Sequence, residues 1–272
     1  MSDASGIGVV NDAGDIDKIK VGSAFDRAAG TYDAMARFQH QVGERLLDLL
    51  PVLAASVQQP ERILDGGCGT GYSRELLARR WPHASLAGCD LSLEMARRAQ
   101  AKGIGCVCGD LERLPFADDS FDLAWSSLAL QWCRPERAFS ELRRVLKPGG
   151  VLVFASLGPG TLHEFDFAFS GIDSHRHVLP FAASSEIGMA LENAGLADIR
   201  LLHEEWITRH ADFKSLLATI RGIGAGEVGG ERRRTLMGKN AWQTAQARYE
   251  TLRDAQGLLP TTYQVLFGSA RK

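Results

Sequence analysis

"RILDGGCGTGYSRELL", Arg62 to Leu77, places four glycines within six residues, between a short apolar run and a segment with helical character. The order predicts a strand, a glycine-rich turn and a helix. Glycines in such a turn let the backbone approach a ligand with no side chain in the way. The turn alone leaves the ligand class open.

Outward from the turn, "LLARRW", "SLAGCD", "LEMARRAQAKG", "GCVCGD", "FDLAWSSLAL", "PERAFSELRRVL" and "GVLVFASL" alternate helical and strand character. That alternation predicts an α/β fold with a parallel sheet and helices on both faces. Pro135 at a first helical position and "KPGG" at the end bound the helix after Arg134. Before the turn, residues 21–58 predict a helical cap: Phe38, Val42, Leu46 and Leu50 keep a near-helical period that ends at Pro51. Residues 1–20 are polar and predict a disordered tail ahead of one domain spanning 21–272. After "GVLVFASL" comes a long glycine- and histidine-containing link, "GPGTLHEFDFAFSGIDSHRHVLPF", then the helix "SSEIGMALENAG". "IRLLHEEWITRH" and "TTYQVLFGSARK" predict two more strands, separated by a mostly helical insertion over 212–257.

The charges near the turn narrow the ligand. Gly67, Gly69 and Gly71 give GxGxG, not the GxGxxG of a dinucleotide site. Asp65 ends the strand where a bound pyrophosphate would meet a carboxylate, so the site suits a ligand that presents a cation. S-adenosylmethionine has such a cation in the ammonium of its methionine part. Asp90 follows 19 residues after Gly71, where a carboxylate can accept both ribose hydroxyls. Asp110 closes the next strand, placed to accept from an adenine amine. Three acids at three successive strand ends converge on the carboxyl edge of the sheet, where open α/β sheets bind ligands.

Composition excludes several classes. The chain has 272 residues, 45% hydrophobic and 24% charged, ordinary for a globular enzyme. A formal net charge of -2 gives no basic excess for binding nucleic acid. The five cysteines form no CxxC pair, which predicts reduced core thiols in a cytoplasmic protein. No apolar run approaches the ~20 residues that span a bilayer, so no membrane association is expected.

"LDGGCGTG", "GCDLSLEMA", "GDLERLPFADDSFDLAWSSLALQW" and "VLKPGG" together resemble the class I S-adenosylmethionine-dependent methyltransferases over roughly residues 60 to 160. The resemblance implies a Rossmann-like fold with a central, mostly parallel seven-stranded sheet. It implies cofactor contacts at Asp65, Gly67, Gly69, Asp90, Leu91, Asp110, Leu111 and Ser126, and S-adenosylhomocysteine as product. Gly66 departs from the pattern, since many members carry a bulkier residue there.

The flanks "AFDRAAGTYDAMARFQHQVGERLL", "SSLALQWC", "GPGTLHEF", "IRGIGA" and "LPTTYQVLFGSARK" resemble the malonyl-acyl-carrier-protein O-methyltransferases of biotin synthesis. This resemblance implies methylation of the free carboxylate of a malonyl thioester, on acyl-carrier protein or coenzyme A; the protein itself is expected to be a monomer. A carboxylate is ionised at neutral pH, so no general base is expected. Gripping that carboxylate suits an arginine; Arg176 is preferred over Arg221. Tyr32 and Phe25 are expected to cap the pocket. His175 and His177 lack a third ligand in register, so no metal site is expected. An acidic carrier suggests docking on Arg232, Arg233, Arg234 and Lys239, and the insertion is expected to form a lid.

Two other families stay open. Other small-molecule methyltransferases share the loop and "LKPGG". "VLPFAASSEIG" and "PTTYQV" also resemble mitochondrial complex I assembly factors, credited with hydroxylating an arginine of a partner subunit. "FDRAAGTYD" favours the malonyl enzymes.

Overall fold

The computed structural model describes residues 16–57, 59–172, 176–222 and 238–272. Seven strands form one sheet: β1 (Arg62–Gly66), β2 (Ser85–Asp90), β3 (Gly105–Cys108), β4 (Phe121–Ser127), β5 (Leu146–Leu157), β6 (Ala197–His210) and β7 (Leu259–Arg271). Their spatial order is β3-β2-β1-β4-β5-β7-β6. β1 to β5 run parallel, and β7 pairs antiparallel with both β5 and β6. The chain lays β1, β2 and β3 outward in one direction and β4 and β5 in the other, so a crevice opens beyond the carboxyl ends of β1 and β4.

Helices cover both faces because the central strands are buried on both sides and carry apolar residues in near-continuous runs. On one face α7 (Pro135–Val145) and α9 (Ser184–Asn193) bury Phe139, Leu142 and Leu191 against Phe121 and Phe154. On the other, α3 (Arg37–Asp48) buries Phe38, Val42 and Leu46 against Trp125, Val153 and Phe267. Each large side chain removed from water contributes roughly 1.5–3 kcal/mol. A third cluster joins α8 (His163–Phe169), α10 (Phe213–Gly222) and α11 (Lys239–Glu250) through Phe165, Phe169, Phe213 and Tyr249.

Several expectations change. The tail does not run to residue 20: α1 spans Lys18–Ala28, and the Asp17 carboxylate caps it by accepting the Ile19 and Lys20 N–H groups. The cap is four helices, with α2 (Tyr32–Met35) and α4 (Leu50–Leu53) flanking α3, because Gly30 and Thr31 interrupt the first period. Pro51 is no terminator; it occupies the first turn of α4, where its missing N–H costs nothing. The link after β5 contains α8. Within the insertion, Tyr249 is fully buried and its hydroxyl donates to the Pro260 carbonyl at 2.8 Å, so α11 is packed into the domain.

Candidate active site

The glycine turn leaves β1 with Gly67 at φ 75°. A Cβ there would stand 2.1 Å from the Ala129 Cβ, so only glycine fits both the backbone angle and the approach of the loop after β4. Gly66 is explained by Leu111: a Cβ on Gly66 would meet Leu111 Cδ2 at 3.0 Å. Leu111 thus takes the space that a larger residue at 66 would need.

The three strand-end acids gather at this edge. Asp65 is 2% exposed and accepts from the Ser73 hydroxyl; burial pushes its carboxyl up to about 7, with the Asp90 charge adding to the shift. Among the described residues no cationic side chain bonds to it. Asp90 accepts the Gly69 and Ser92 N–H groups at 2.8 Å each, and burial still pushes it up to about 6. Asp110 accepts from the Lys18 ammonium at 2.9 Å and from the Glu112 N–H at 3.0 Å, both through Oδ1. A buried carboxyl with no counterion, two further acids and a backbone-lined turn fit a neutral nucleoside joined to a cationic ammonium.

The Ser126 side chain turns to the backbone of the turn. It is fully buried, and its hydroxyl donates to the Gly66 carbonyl at 2.8 Å, so it props the turn from beneath. Leu91 lies under α1, where a Cβ on Gly22 would meet the Leu91 carbonyl at 3.3 Å.

The N-terminal helices build a roof on this crevice with polar contacts that spacing does not reveal. Lys18 Nζ also pairs with Glu112 at 2.8 Å and lies 3.5 Å from Cys133 Sγ. Asp110, Glu112 and Cys133 are close enough together to suit a metal, but the Lys18 ammonium bonds to all three. Asp26 accepts from the Ser92 hydroxyl and the Glu94 N–H at the start of α6 (Leu93–Ala101). Asp33 accepts from the Thr70 hydroxyl in the glycine turn and from Lys102.

Beside the crevice lies a cavity of about 920 Å³, its open mouth included. Its walls are mainly apolar, with Phe25, Phe38, Leu128, Trp132, Leu157 and Phe165 prominent. The Phe25 ring meets Trp132 edge-on at 5.8 Å, and Phe38 stacks on Tyr263 at 4.0 Å. Polar groups are few: the Tyr32 and Tyr263 phenols, the Gln39 and Gln131 amides and the His177 imidazole. The Gln131 amide nitrogen donates to the Leu128 carbonyl at 2.7 Å, which fixes the turn that carries Leu128 at φ 53°.

Tyr32 belongs to both compartments. It lines the cavity, and a Cβ on Gly69 would be 3.9 Å from its ring. Burial, with the charges of Asp90 and Asp33, raises its phenol above the usual tyrosine range, so it stays a neutral hydroxyl. Arg176 and Arg221 are exposed, and neither side chain lines the cavity, although their neighbours His177 and Ile220 do. Phe25 lines the cavity beside Tyr32, and Gln39, Gln131 and Trp132 join it from quoted stretches in which the sequence assigned them no site role. His175, Arg232, Arg233 and Arg234 lie outside the described residues; Lys239 is exposed at the start of α11.

Known proteins resemble this chain at three levels. Residues 64–154 match a methyltransferase domain family. The fold is shared with the YcgJ protein of Bacillus subtilis, at 20% identity and a TM-score of 0.57, covering 84% of this chain and 98% of that one. It is also shared with Haemonchus contortus phosphoethanolamine N-methyltransferase 2, solved with S-adenosyl-L-methionine, at 20% identity and a TM-score of 0.56. That match covers 91% of this chain and 57% of the other. The malonyl-[acyl-carrier protein] O-methyltransferase of Herminiimonas arsenicoxydans is 54% identical over 95% of this chain and 97% of its own. The one from Dechloromonas aromatica is 44% identical over 94% and 95%. The crevice of acids, the methyltransferase core and this full-length identity agree: the chain belongs to the malonyl-[acyl-carrier protein] O-methyltransferase family, whose cofactor is S-adenosylmethionine.

Proposed function

We infer that the protein methylates the free carboxylate of a malonyl thioester carried on acyl-carrier protein, giving the methyl ester. The observation that carries this reading is the junction at Tyr32 between an acidic crevice and an apolar cavity. Bound S-adenosylmethionine supplies an electrophilic methyl group on a sulfonium. In the crevice, Asp65 would hold the ammonium, Asp90 the ribose hydroxyls and Asp110, through its second oxygen, the adenine amine. Gly67 and Gly69 supply a turn without side chains along which the methionine part can lie.

On the acceptor side the protein needs no proton transfer, because the carboxylate arrives ionised. Its charge disappears as the ester forms. Walls of Phe25, Phe38, Leu128 and Trp132 solvate charge poorly, so they favour the charge-dispersed reacting arrangement over the separated ions. Tyr32 and Gln39 can orient the carboxylate with neutral donors, and alignment of the reacting atoms supplies several kcal/mol. Among the described residues no helix is long and apolar enough to cross a membrane, consistent with a carrier met in the aqueous phase.

The test is incubation with malonyl-acyl-carrier protein and methyl-labelled S-adenosylmethionine. Base-labile label on the acyl group is expected. Tight cofactor binding with no label on the acyl group, or label on a side chain of the carrier, would overturn the reading.

A further inference from the structure

Of the two cations that the sequence suggested for gripping the carboxylate, Arg176 and Arg221, neither lines the cavity, but both are neighbours of residues that do, and Arg37 shares that placement. Arg37, Arg176 and Arg221 are each exposed, and each is one residue from a side chain of the cavity wall: Phe38, His177 and Ile220. The end of α10 meets the junction of α2 and α3, because a Cβ on Gly222 would be 2.8 Å from Met35 Cγ. That contact brings the segment bearing Arg221 against the segment bearing Arg37. On the remaining side, His177 stacks on Phe169 at 3.9 Å, and Phe169 and Ile220 belong to the same packed cluster. Met35 itself is 39% exposed, an unbranched apolar side chain beside two guanidinium-bearing segments. Interfaces between proteins are enriched in this pairing of methionine and arginine.

An acceptor on a carrier protein arrives on a phosphopantetheine arm, an extended chain that ends in a phosphodiester at the carrier surface. The arm is uncharged along its length and suits an apolar cavity, whereas its phosphodiester and an acidic carrier surface require cations where the cavity opens. We propose that Arg37, Arg176 and Arg221, with Met35, form the docking rim for an acidic carrier protein. On this view the arginines receive the phosphodiester and the carrier's carboxylates, and the acceptor carboxylate is held deeper by neutral groups. The proposal rests on the malonyl thioester reading above and adds where the carrier sits.

The experiment compares two acceptors, malonyl-acyl-carrier protein and malonyl-N-acetylcysteamine, which has the thioester but neither phosphate nor carrier. In the R37E/R176E/R221E variant, kcat/KM for the carrier-linked acceptor falls about 30-fold or more, mainly through KM, and loses most of its dependence on salt. The loss on malonyl-N-acetylcysteamine is at least tenfold smaller. S-adenosylmethionine affinity, measured by calorimetry, reports that the variant is folded, and the milder R37Q/R176Q/R221Q set shows the same order of losses. Equal losses on both acceptors would assign the arginines to the carboxylate and overturn the proposal. No loss on either would overturn it as well. A wild-type enzyme inactive on both acceptors would instead overturn the functional reading, and the rim with it.

Discussion

The crevice and the cavity touch at one tyrosine and are built in opposite ways. The crevice takes its acids and its turn from residues 65–112, local to three consecutive strands, with Asp65 and Asp90 buried and Asp110 partly so. The cavity draws its wall from α1, α2, α3, the turns after β4 and β5, α8, the segment at 177–181, α10 and β7. A site that holds a constant ligand can be written into a short motif. A site that holds a variable acceptor is assembled by packing from distant segments, each free to change separately.

The sharpest way to break the crevice is Gly67→Ala. The added Cβ collides with Ala129 in a left-handed backbone, which costs about 2–4 kcal/mol and displaces the turn. A fall in Tm together with at least a 100-fold loss of S-adenosylmethionine affinity is expected. An unchanged binding isotherm would show that the turn does not carry the ligand.

Tyr32 tests whether the two compartments are one site. Tyr32→Ala should lower kcat/KM for the acceptor by about 10- to 100-fold and also weaken cofactor binding, since the ring serves both walls. Tyr32→Phe, which keeps the ring, should retain cofactor affinity and lose part of the turnover. If Tyr32→Ala changes only one of the two affinities, the junction is no junction.

The crevice carries a pH dependence of its own. Asp65 and Asp90 are raised to about 7 and about 6 in the folded protein without cofactor, so between pH 4 and pH 7 the folded state binds more protons than the unfolded one. The stability that these two acids contribute therefore falls as pH rises through that window and levels off above it. A cationic ligand requires Asp65 ionised, so S-adenosylmethionine affinity should climb roughly tenfold from pH 6 to pH 8. Calorimetry of the wild type against Asp65→Asn checks this: the variant should bind weakly, with no such slope. Acceptor affinity should not follow the same curve.

The smallest effect lies outside both regions. Arg45 and Glu204 form a partly exposed pair at 2.6 Å between α3 and β6. Arg45→Ala should cost no more than about 1 kcal/mol in thermal unfolding and leave kinetics alone. A change in KM there would mean that α3 transmits strain to Phe38 and the cavity.

Legibility in the sequence followed the same division. The strand-turn-helix order, the strand-end acids and the glycines could be read from spacing, because each acts within a few residues of its own element. The bond from Ser126 to the Gly66 carbonyl was not legible, because β4 is buried on both faces and alternation along it does not say which way a side chain turns. Lys18 and Asp110 are 92 positions apart, and nothing local to either predicts their contact. The arginines at 176 and 221 were recognisable as cations but not as rim residues, since which way a side chain faces depends on how α8, α10 and α2 pack. The start of α1 was hidden by the polar run before it, although Asp17 carries the preference of a helix cap.

β7 lies between β5 and β6 in the sheet, yet it follows both in the chain. A ribosome therefore delivers two strands with unpaired edges before it delivers the one that joins them. Until β7 arrives, the β5 edge from Val151 to Leu157 stays open to wrong partners, and Tyr263, one wall of the cavity, is missing. The crevice draws its strands from β1 to β4, made early, whereas the cavity wall waits for β7. The last strand made is thus the one that closes the substrate side of the molecule.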